Sequence, residues 1–331
     1  MATLLEIAQA ANVSKTTVSR ALRGDPTLSI TSETRTKILD AAKSLGYTVK
    51  EERRIHKNRT IAVIHKDDHF ETRWNNSFYF SMRYGIEQVC FENNIRCLFY
   101  PIRYMEQVPK EVDGAVMMGN FSPENQKRIR DFFKKSVPMV FLGRVCFEPD
   151  RMDWVTYDVE QGVQLAVERL IQAGRTQILY LGGINLQGPD EHTHKLLYFN
   201  HTLQKHPEVA CIGVVEGEHG SDSGYDLMKT WLDEHTENRP DGIFVTNDPI
   251  AFGALRALAE HGISVPGQIS VVALNGDEPG ANTIPPLTSV NVYTEEMGKE
   301  AVRCLLERWK GLRAVSKKIQ YNPTLIERKS V

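Results

Sequence analysis

Apolar positions recur along this chain in two rhythms, and the change between them falls near residue 60. Over the first 47 residues they follow a helical spacing of three and four. Leu4, Ile7, Ala8 and Ala11 fall on one face of a first helix, and Thr3 and Glu6 have the spacing of a capping box at its start. Asn12-Val13 makes a turn, and Ser14 is a good N-cap for a second helix. That helix is expected to bury Val18 and Leu22 and to expose Lys15, Thr16, Thr17, Ser19 and Arg20, with Gly24-Asp25-Pro26 stopping it. A third helix is predicted from Thr31 or Ser32 to Leu45, with Ile38, Leu39, Ala42 and Leu45 inward and Gly46 as its stop.

From Thr60 onward, short β-branched or aliphatic runs alternate with longer helical stretches. Strand candidates lie at 61–64, 95–100, 115–118, 139–142, 154–157, 178–181, 212–215, 243–246, 269–273 and 289–292. Helix candidates between them lie at 78–92, 124–134, 160–172, 223–234, 249–261 and 294–309. Alternating strands and helices imply parallel sheets covered on both faces. The number of units exceeds one sheet of ordinary size, so two subdomains are expected. Ligands of such sheets bind beyond the strand C-termini, and two facing edges of that kind would trap a small molecule between them.

The stretch joining the two rhythms, residues 48–59, is polar and cationic with little to bury, and is expected to be disordered or frayed on its own. Charge sharpens the division. Residues 1–60 carry 11 Lys/Arg against 6 Asp/Glu, whereas the remainder carry 29 against 36. A basic head on an acidic body fits a polyanion partner at one end only. The exposed Lys15, Thr16 and Arg20 on the opening turns of a helix suit base edges and the phosphates beside them. Composition is otherwise that of a globular protein, 41% hydrophobic and 25% charged. No window reaches the roughly 18 apolar residues of a membrane span. The N-terminus does not read as a signal peptide, so a cytoplasmic, nucleoid-associated protein is expected. Five scattered cysteines (Cys90, Cys97, Cys146, Cys211 and Cys304) include no Cys-x-x-Cys and are expected to be buried, reduced thiols. Enzyme motifs such as Gly-x-Ser-x-Gly, the phosphate-binding Gly-rich loop and His-Glu-x-x-His are absent from the sequence, so no enzyme and no cofactor is expected.

The head resembles that of the lactose-repressor (LacI/GalR) family. The resemblance rests on Thr3-Leu4, Ile7-Ala8, Val13-Ser14, Thr17-Val18-Ser19-Arg20 and Leu22, and further on Thr34, Ile38, Ala42 and Leu45-Gly46-Tyr47. It implies that Lys15, Thr16 and Arg20 read bases and that Ser14, Thr17 and Ser19 touch phosphate, with Thr3, Leu4 and Arg23 completing the DNA-binding set. In the family the hinge becomes a short helix on DNA and pushes an apolar side chain into the minor groove. Here the family's Pro-Asn is replaced by Val49-Lys50, and Ile55 is the candidate wedge, with His56 the other choice.

The resemblance extends over the body through Arg83–Glu87, Phe244–Asp248, Val265-Pro266 and Ile284–Val290. It implies an α/β fold: a three-helix helix-turn-helix head at 1–47, a hinge at 48–59, and a type I periplasmic-binding-protein-like sensor at 60–331. The sensor's N-subdomain is expected at about 60–157 plus 291–320, and its C-subdomain at about 158–290 plus 321–331. The chain is expected to cross between them near 157–160, 287–292 and 318–323. The implied effector pocket comprises Phe78, Tyr79, Asp158, His194, Asn247, Asp248 and Asn275, with Trp74 a weaker candidate. Asn76-Ser-Phe-Tyr79 stands where relatives have Asn-Pro-Phe-Phe, and Asn275 where they usually carry Asp. The family's sugar-gripping Arg is missing from 187–195, where His194 or Lys195 would substitute. Glu191, His192 and His194 lie close enough to suggest a metal, yet no second ligand pair stands at a recognisable spacing, so a solvated loop and no metal is the preferred reading.

The implied activity is that of a homodimeric transcriptional repressor on double-stranded, palindromic operator DNA, released by a small sugar effector, with a galactoside the first choice. A regulator whose corepressor tightens DNA binding is the alternative. No heptad-bearing tail follows residue 328, which favours a dimer over a tetramer.

Overall fold

The computed structural model describes residues 3–22, 28–47, 59–66, 77–183 and 191–331, the last without the side chains of 191–193. The chain divides into two compact units, Met1–Arg59 and Thr60–Val331.

The first unit is built on three helices: α1 (Leu4–Ala10), α2 (Lys15–Leu22) and α3 (Ser32–Ser44). The capping box of α1 closes in both directions. The Thr3 amide donates to Glu6 Oε2 at 2.7 Å, and the Glu6 amide donates to Thr3 Oγ1 at 3.3 Å. Thr31 caps α3 by accepting from the Thr34 amide at 3.1 Å. Gly46, at φ +62°, ends α3 where a side chain would be strained, and the Tyr47 amide reaches back to the Ala42 carbonyl at 2.8 Å. The shared core is Ile7, Ala8, Ala11, Val18, Ala21, Ile38 and Ala42. Two expectations fail here. Leu39 and Leu45 lie exposed at 50% and 41%. One helical step from Ile38 rotates Leu39 off the face that Ile38 and Ala42 share, and Ala41 and Tyr47 pack against the core instead. On α2, Ala21 is buried while Leu22 is only half-buried.

The second unit holds two six-stranded sheets. The first has the order β11-β5-β4-β3-β1-β2 and the second β12-β10-β9-β8-β6-β7. The strands are β1 (Arg59–His65), β2 (Ile95–Pro101), β3 (Gly114–Met118), β4 (Met139–Leu142), β5 (Met152–Tyr157), β6 (Gln177–Gly183), β7 (Ala210–Gly217), β8 (Gly242–Val245), β9 (Ser270–Asn275), β10 (Thr288–Asn291), β11 (Lys318–Tyr321) and β12 (Thr324–Ile326). The intervening helices are α4 (Ser77–Glu92), α5 (Pro123–Phe132), α6 (Val159–Gln172), α7 (Glu191–Leu203), α8 (Ser221–Glu234), α9 (Asp248–Glu260) and α10 (Thr294–Trp309). The first sheet with its helices is lobe 1, and the second is lobe 2.

Alternate residues of each central strand feed opposite cores, as expected of strands buried on both faces. On β1, Ile61 and Val63 join the core under α4 and α10, while Ala62 and Ile64 join the core under α5. On β6, Leu179 and Leu181 pack under α8 and α9, while Ile178 and Tyr180 pack under α6 and α7. The α4–α10 and α8–α9 crossings each close on a glycine pair. A Cβ on Gly85 or Gly298 would strike the partner helix backbone in lobe 1, as would one on Gly224 or Gly253 in lobe 2.

The chain passes between the sheets three times: after β5, after β10 and after β11. Pairing is parallel where β11 meets β5 and antiparallel where β12 meets β10. The expectation of ten strands missed β11 and β12. It also read residues 191–195 as loop, whereas they open α7. The thiols are all free, and Cys90, Cys146 and Cys304 are buried as expected, but Cys97 is half-buried and Cys211 exposed.

Candidate functional site

Among the expected DNA-reading residues, Lys15 and Thr16 occupy the first two positions of α2 and are exposed. Ser14 precedes them as N-cap: the Thr17 amide donates to its Oγ at 3.0 Å, and the Ser14 and Thr17 hydroxyls lie 2.8 Å apart. Helices α1 and α3 each carry a glutamate in the first turn, Glu6 and Glu33, but α2 carries none. Unpaired amides and the positive end of the helix dipole thus meet Lys15 rather than a carboxylate. That arrangement costs helix stability and suits an incoming phosphate. Thr17, Ser19 and Arg20, expected to be exposed, are half-buried along the flank of the helix. Thr3 is exposed and Leu4 half-buried against the three-helix core. Arg23, Ile55 and the rest of the hinge at 48–58 lie outside the described residues, as do Trp74, Asn76 and 184–190.

In the second unit the expected effector residues gather at the C-terminal edges of the two sheets. Lobe 2 supplies polar groups. Asn247, between β8 and α9, is 8% exposed and caps α9 by accepting from the Ile250 amide at 2.9 Å. Its Nδ2 lies 3.0 Å from His219 Nδ1. Asn275 ends β9, also 8% exposed, at φ +127°. Thr246 accepts the Gly183 amide at 3.1 Å, and Lys195 Nζ donates to the Thr246 carbonyl at 2.9 Å.

Asp248 corrects one expectation. It was expected in the effector pocket beside Asn247, but it is fully buried and both carboxylate oxygens are occupied. Ser289 Oγ donates to Oδ1 and the Asp277 amide to Oδ2, each at 2.5 Å. Asp248 is a wall behind Asn247 that fixes the β9 loop. Burial, followed by the charge of Asp277, pushes its carboxyl well above the usual carboxylate range. Burial also raises Asp277, against hydrogen bonds from Ser77 and Asn275. Asp158 is likewise committed. It caps α6 through the Gln161 amide at 3.0 Å and accepts from Gln320 Nε2 at 2.9 Å, where the chain crosses between lobes.

Lobe 1 supplies aromatic surface. Phe78 and Tyr79 stand in the first turn of α4, edge to face with centroids 5.1 Å apart, each partly packed on the lobe core. Just before them, Ser77 Oγ donates to Asp277 Oδ2, a hydrogen bond from lobe 1 to lobe 2. His194 sits in the second turn's approach of α7, its ring 6.3 Å from that of Tyr198. Ser77, Asp277 and His219 were missed by sequence reasoning. Their contacts join segments up to 200 residues apart, and only the loop-after-strand position of Asp277 and His219 hinted at them. Among the described residues no group of His, Cys, Asp or Glu is placed to hold a metal ion, and no helix is long and apolar enough to cross a membrane.

Residues 3–49 match the family model of bacterial regulatory proteins of the lacI family, and residues 167–331 match that of the periplasmic binding protein-like domain. The chain is 32% identical to the HTH-type transcriptional repressor MelR of Bacillus subtilis (strain 168), covering 100% of this chain and 97% of that protein. Among solved structures, the transcriptional regulator CelR–cellobiose complex superposes with a TM-score of 0.70 at 25% identity, covering 100% of both chains. The lac repressor dimer bound to operator and the anti-inducer ONPF gives 0.69 at 22%, covering 99% of this chain and 98% of that one. With a helix-turn-helix head, a two-lobed periplasmic-binding-protein-like body and that relationship along its whole length, the chain belongs to the LacI family of DNA-binding transcription regulators.

Proposed function

We propose that this protein is a homodimeric, sequence-specific repressor of a carbohydrate-utilisation operon, released from a palindromic operator when a small sugar, a galactoside, binds between the two lobes. The head at 1–47 binds the duplex, 48–59 is the hinge, and 60–331 senses and dimerises. Lys15, Thr16 and Arg20 read bases, while Ser14, Thr17 and Ser19 hold phosphates. Asn247 and Asn275 take sugar hydroxyls, Phe78 and Tyr79 offer an aromatic face to the ring, and His219 joins them through its contact with Asn247.

The observation that carries this reading is the seam at Ser77 and Asp277. There the aromatic first turn of α4 meets the polar strand ends of lobe 2. An amide pair such as Asn247 and Asn275 donates and accepts, which matches the mixed character of a hydroxyl, and an aromatic face matches the apolar C–H face of a sugar ring. Relatives support the ligand class: the CelR structure holds cellobiose. To empty an operator, the sugar must favour the released form over the DNA-bound form by several kcal/mol.

The test is fluorescence anisotropy of the full-length protein on duplexes selected from a random palindrome pool, over a range of salt, with galactosides and other mono- and disaccharides added. The expected result is a steep salt dependence, one preferred palindrome, and loss of binding with one sugar class. Equal affinity for selected and bulk DNA would refute the reading.

A further inference from the structure

Asp277 holds the N-cap position of a short 3-10 helix, Glu278–Asn282, yet its carboxylate caps nothing there. An aspartate at a helix start ordinarily accepts from the first amides of its own helix. Here it accepts instead from Ser77 Oγ, in the other lobe and 200 residues away along the chain. Asp277 is 7% exposed, so the contact is sheltered from water. Both ends of it stand on fixed elements. Ser77 opens α4, whose next residues, Phe78 and Tyr79, pack on the lobe 1 core. That helix is locked to α10 at Gly85 and Gly298, where a Cβ would strike the partner backbone. In lobe 2 the Asp277 amide donates to Asp248 Oδ2 at 2.5 Å, and the Gly276 amide donates to Ser289 Oγ at 3.1 Å. Neither side can follow the other when the lobes part, so the bond exists only while they are together.

We propose that the Ser77–Asp277 hydrogen bond is a latch that holds the two lobes together in the ligand-free protein, and that Ser77 is thereby a positioning residue for the sugar response. The second half rests on the proposed function; the latch itself does not. A sugar that both lobes must enclose binds a form that the latch already populates, and its apparent affinity scales with that population. Without the Ser77 hydroxyl, part of the binding free energy would go into drawing the lobes together.

The latch is poised rather than permanent. Ser77 offers a neutral hydroxyl to a carboxylate, a bond stronger than one between two neutral groups. Burial raises the Asp277 carboxyl, and the Ser77 bond opposes that rise. Desolvation of the carboxylate therefore offsets part of what the hydrogen bond contributes. The small difference that remains is of a size that a ligand can overturn.

The test measures hydrogen–deuterium exchange in the full-length protein without ligand, as wild type, Ser77→Ala and Ser77→Thr. Alanine removes the hydroxyl and threonine keeps it. In Ser77→Ala, exchange is expected to quicken about tenfold at both edges, over 77–83 in lobe 1 and 276–283 in lobe 2, the order expected for one hydrogen bond to a charged acceptor. Ser77→Thr is expected to keep the wild-type rate. A rise confined to 77–83, or no rise, would overturn the latch. Calorimetric titration with galactose, lactose, melibiose and cellobiose reads the second half. A sugar that binds the wild type is expected to bind Ser77→Ala about tenfold more weakly and Ser77→Thr equally well. Equal affinity for the wild type and Ser77→Ala would overturn the positioning role. If both edges loosen in Ser77→Ala while none of these sugars binds the wild type, the latch stands, and the sugar reading of the proposed function falls together with the positioning role.

Discussion

The two lobes share a layout but treat a buried carboxylate in opposite ways. In lobe 1, Asp153 is buried at the start of β5 among cations. Arg313 donates to both its oxygens, with Nη1 at 2.6 Å, and Arg308 approaches at 3.2 Å, while the Lys317 amide donates at 2.9 Å. Burial pushes this carboxyl up, but Arg313 and Arg308 outweigh it and hold it below the usual range. In lobe 2, Asp248 and Asp277 lie together with hydroxyl and amide partners, and Arg328 acts on Asp248 only at a distance. Both are pushed up. The first centre ties α10 and the 313–317 segment to the sheet. The second lies at the seam between the lobes, where Ser77 meets Asp277, and keeps a poorly compensated pair there, an arrangement that costs stability and is expected where function, rather than folding, sets the residue type.

The largest expected effect follows from lobe 1. Asp153→Ala would leave Arg308 without its carboxylate and Arg313 with Glu307 alone in a largely buried site, and is expected to lower stability by about 3–5 kcal/mol, read as a large drop in the full-length melting temperature. An unchanged melting temperature would reduce the cluster to surface decoration. Next comes the head. Arg20→Ala is expected to cost roughly 1–3 kcal/mol at the operator and to relax base preference; undiminished discrimination between operator and mismatched duplexes would remove Arg20 from the reading set.

In lobe 2, Asn247→Ala is expected to destabilise by about 1 kcal/mol through the lost cap. It should also abolish the sugar response while the variant still binds operator. A normal response would move the pocket elsewhere. The paired carboxylates give a pH signature of opposite sign to Asp153. Their folded pKa values lie above the unfolded ones, so the folded protein holds more protons and their contribution to stability falls as pH rises from about 4. For Asp153 the folded pKa is depressed, so its contribution is present above about pH 4 and lost below it. Asp277→Asn is accordingly expected to flatten the decline in melting temperature above pH 4, and an unaltered profile would contradict the assignment. The smallest effect belongs to Leu39→Lys on the exposed side of α3, within about 0.5 kcal/mol.

The same contrast explains what the sequence made legible. Strand β4 and helix α10 were bounded to the residue, because β4 is a short uninterrupted apolar run and α10 has its apolar positions at helical spacing between clear stops. The short, half-exposed strands β11 and β12 lack such a pattern, since their registers depend on β5 and β10 far upstream. Helix α7 was hidden by the Gly-Pro-Asp stretch before it, which suggested continued loop. At the strand ends of lobe 2, Asn247 and Asn275 were visible as polar residues after apolar runs. Whether each side chain faces solvent or a neighbouring carboxylate was not, and Asp248 turned inward because Ser289 and the Asp277 amide receive it there. The partnership of Ser77 with Asp277 is created by folding, and nothing local announces it.

In the proposed function, one small polar ligand, held between the aromatic edge of lobe 1 and the polar edge of lobe 2, governs DNA binding. Linkage tests it most directly, because coupled sites must affect one another by the same factor. Calorimetric titration of galactosides into the free protein and into the protein saturated with operator should give two sugar affinities. Their ratio is expected to equal the factor by which that sugar weakens operator binding. Identical sugar affinities with and without operator would contradict the account.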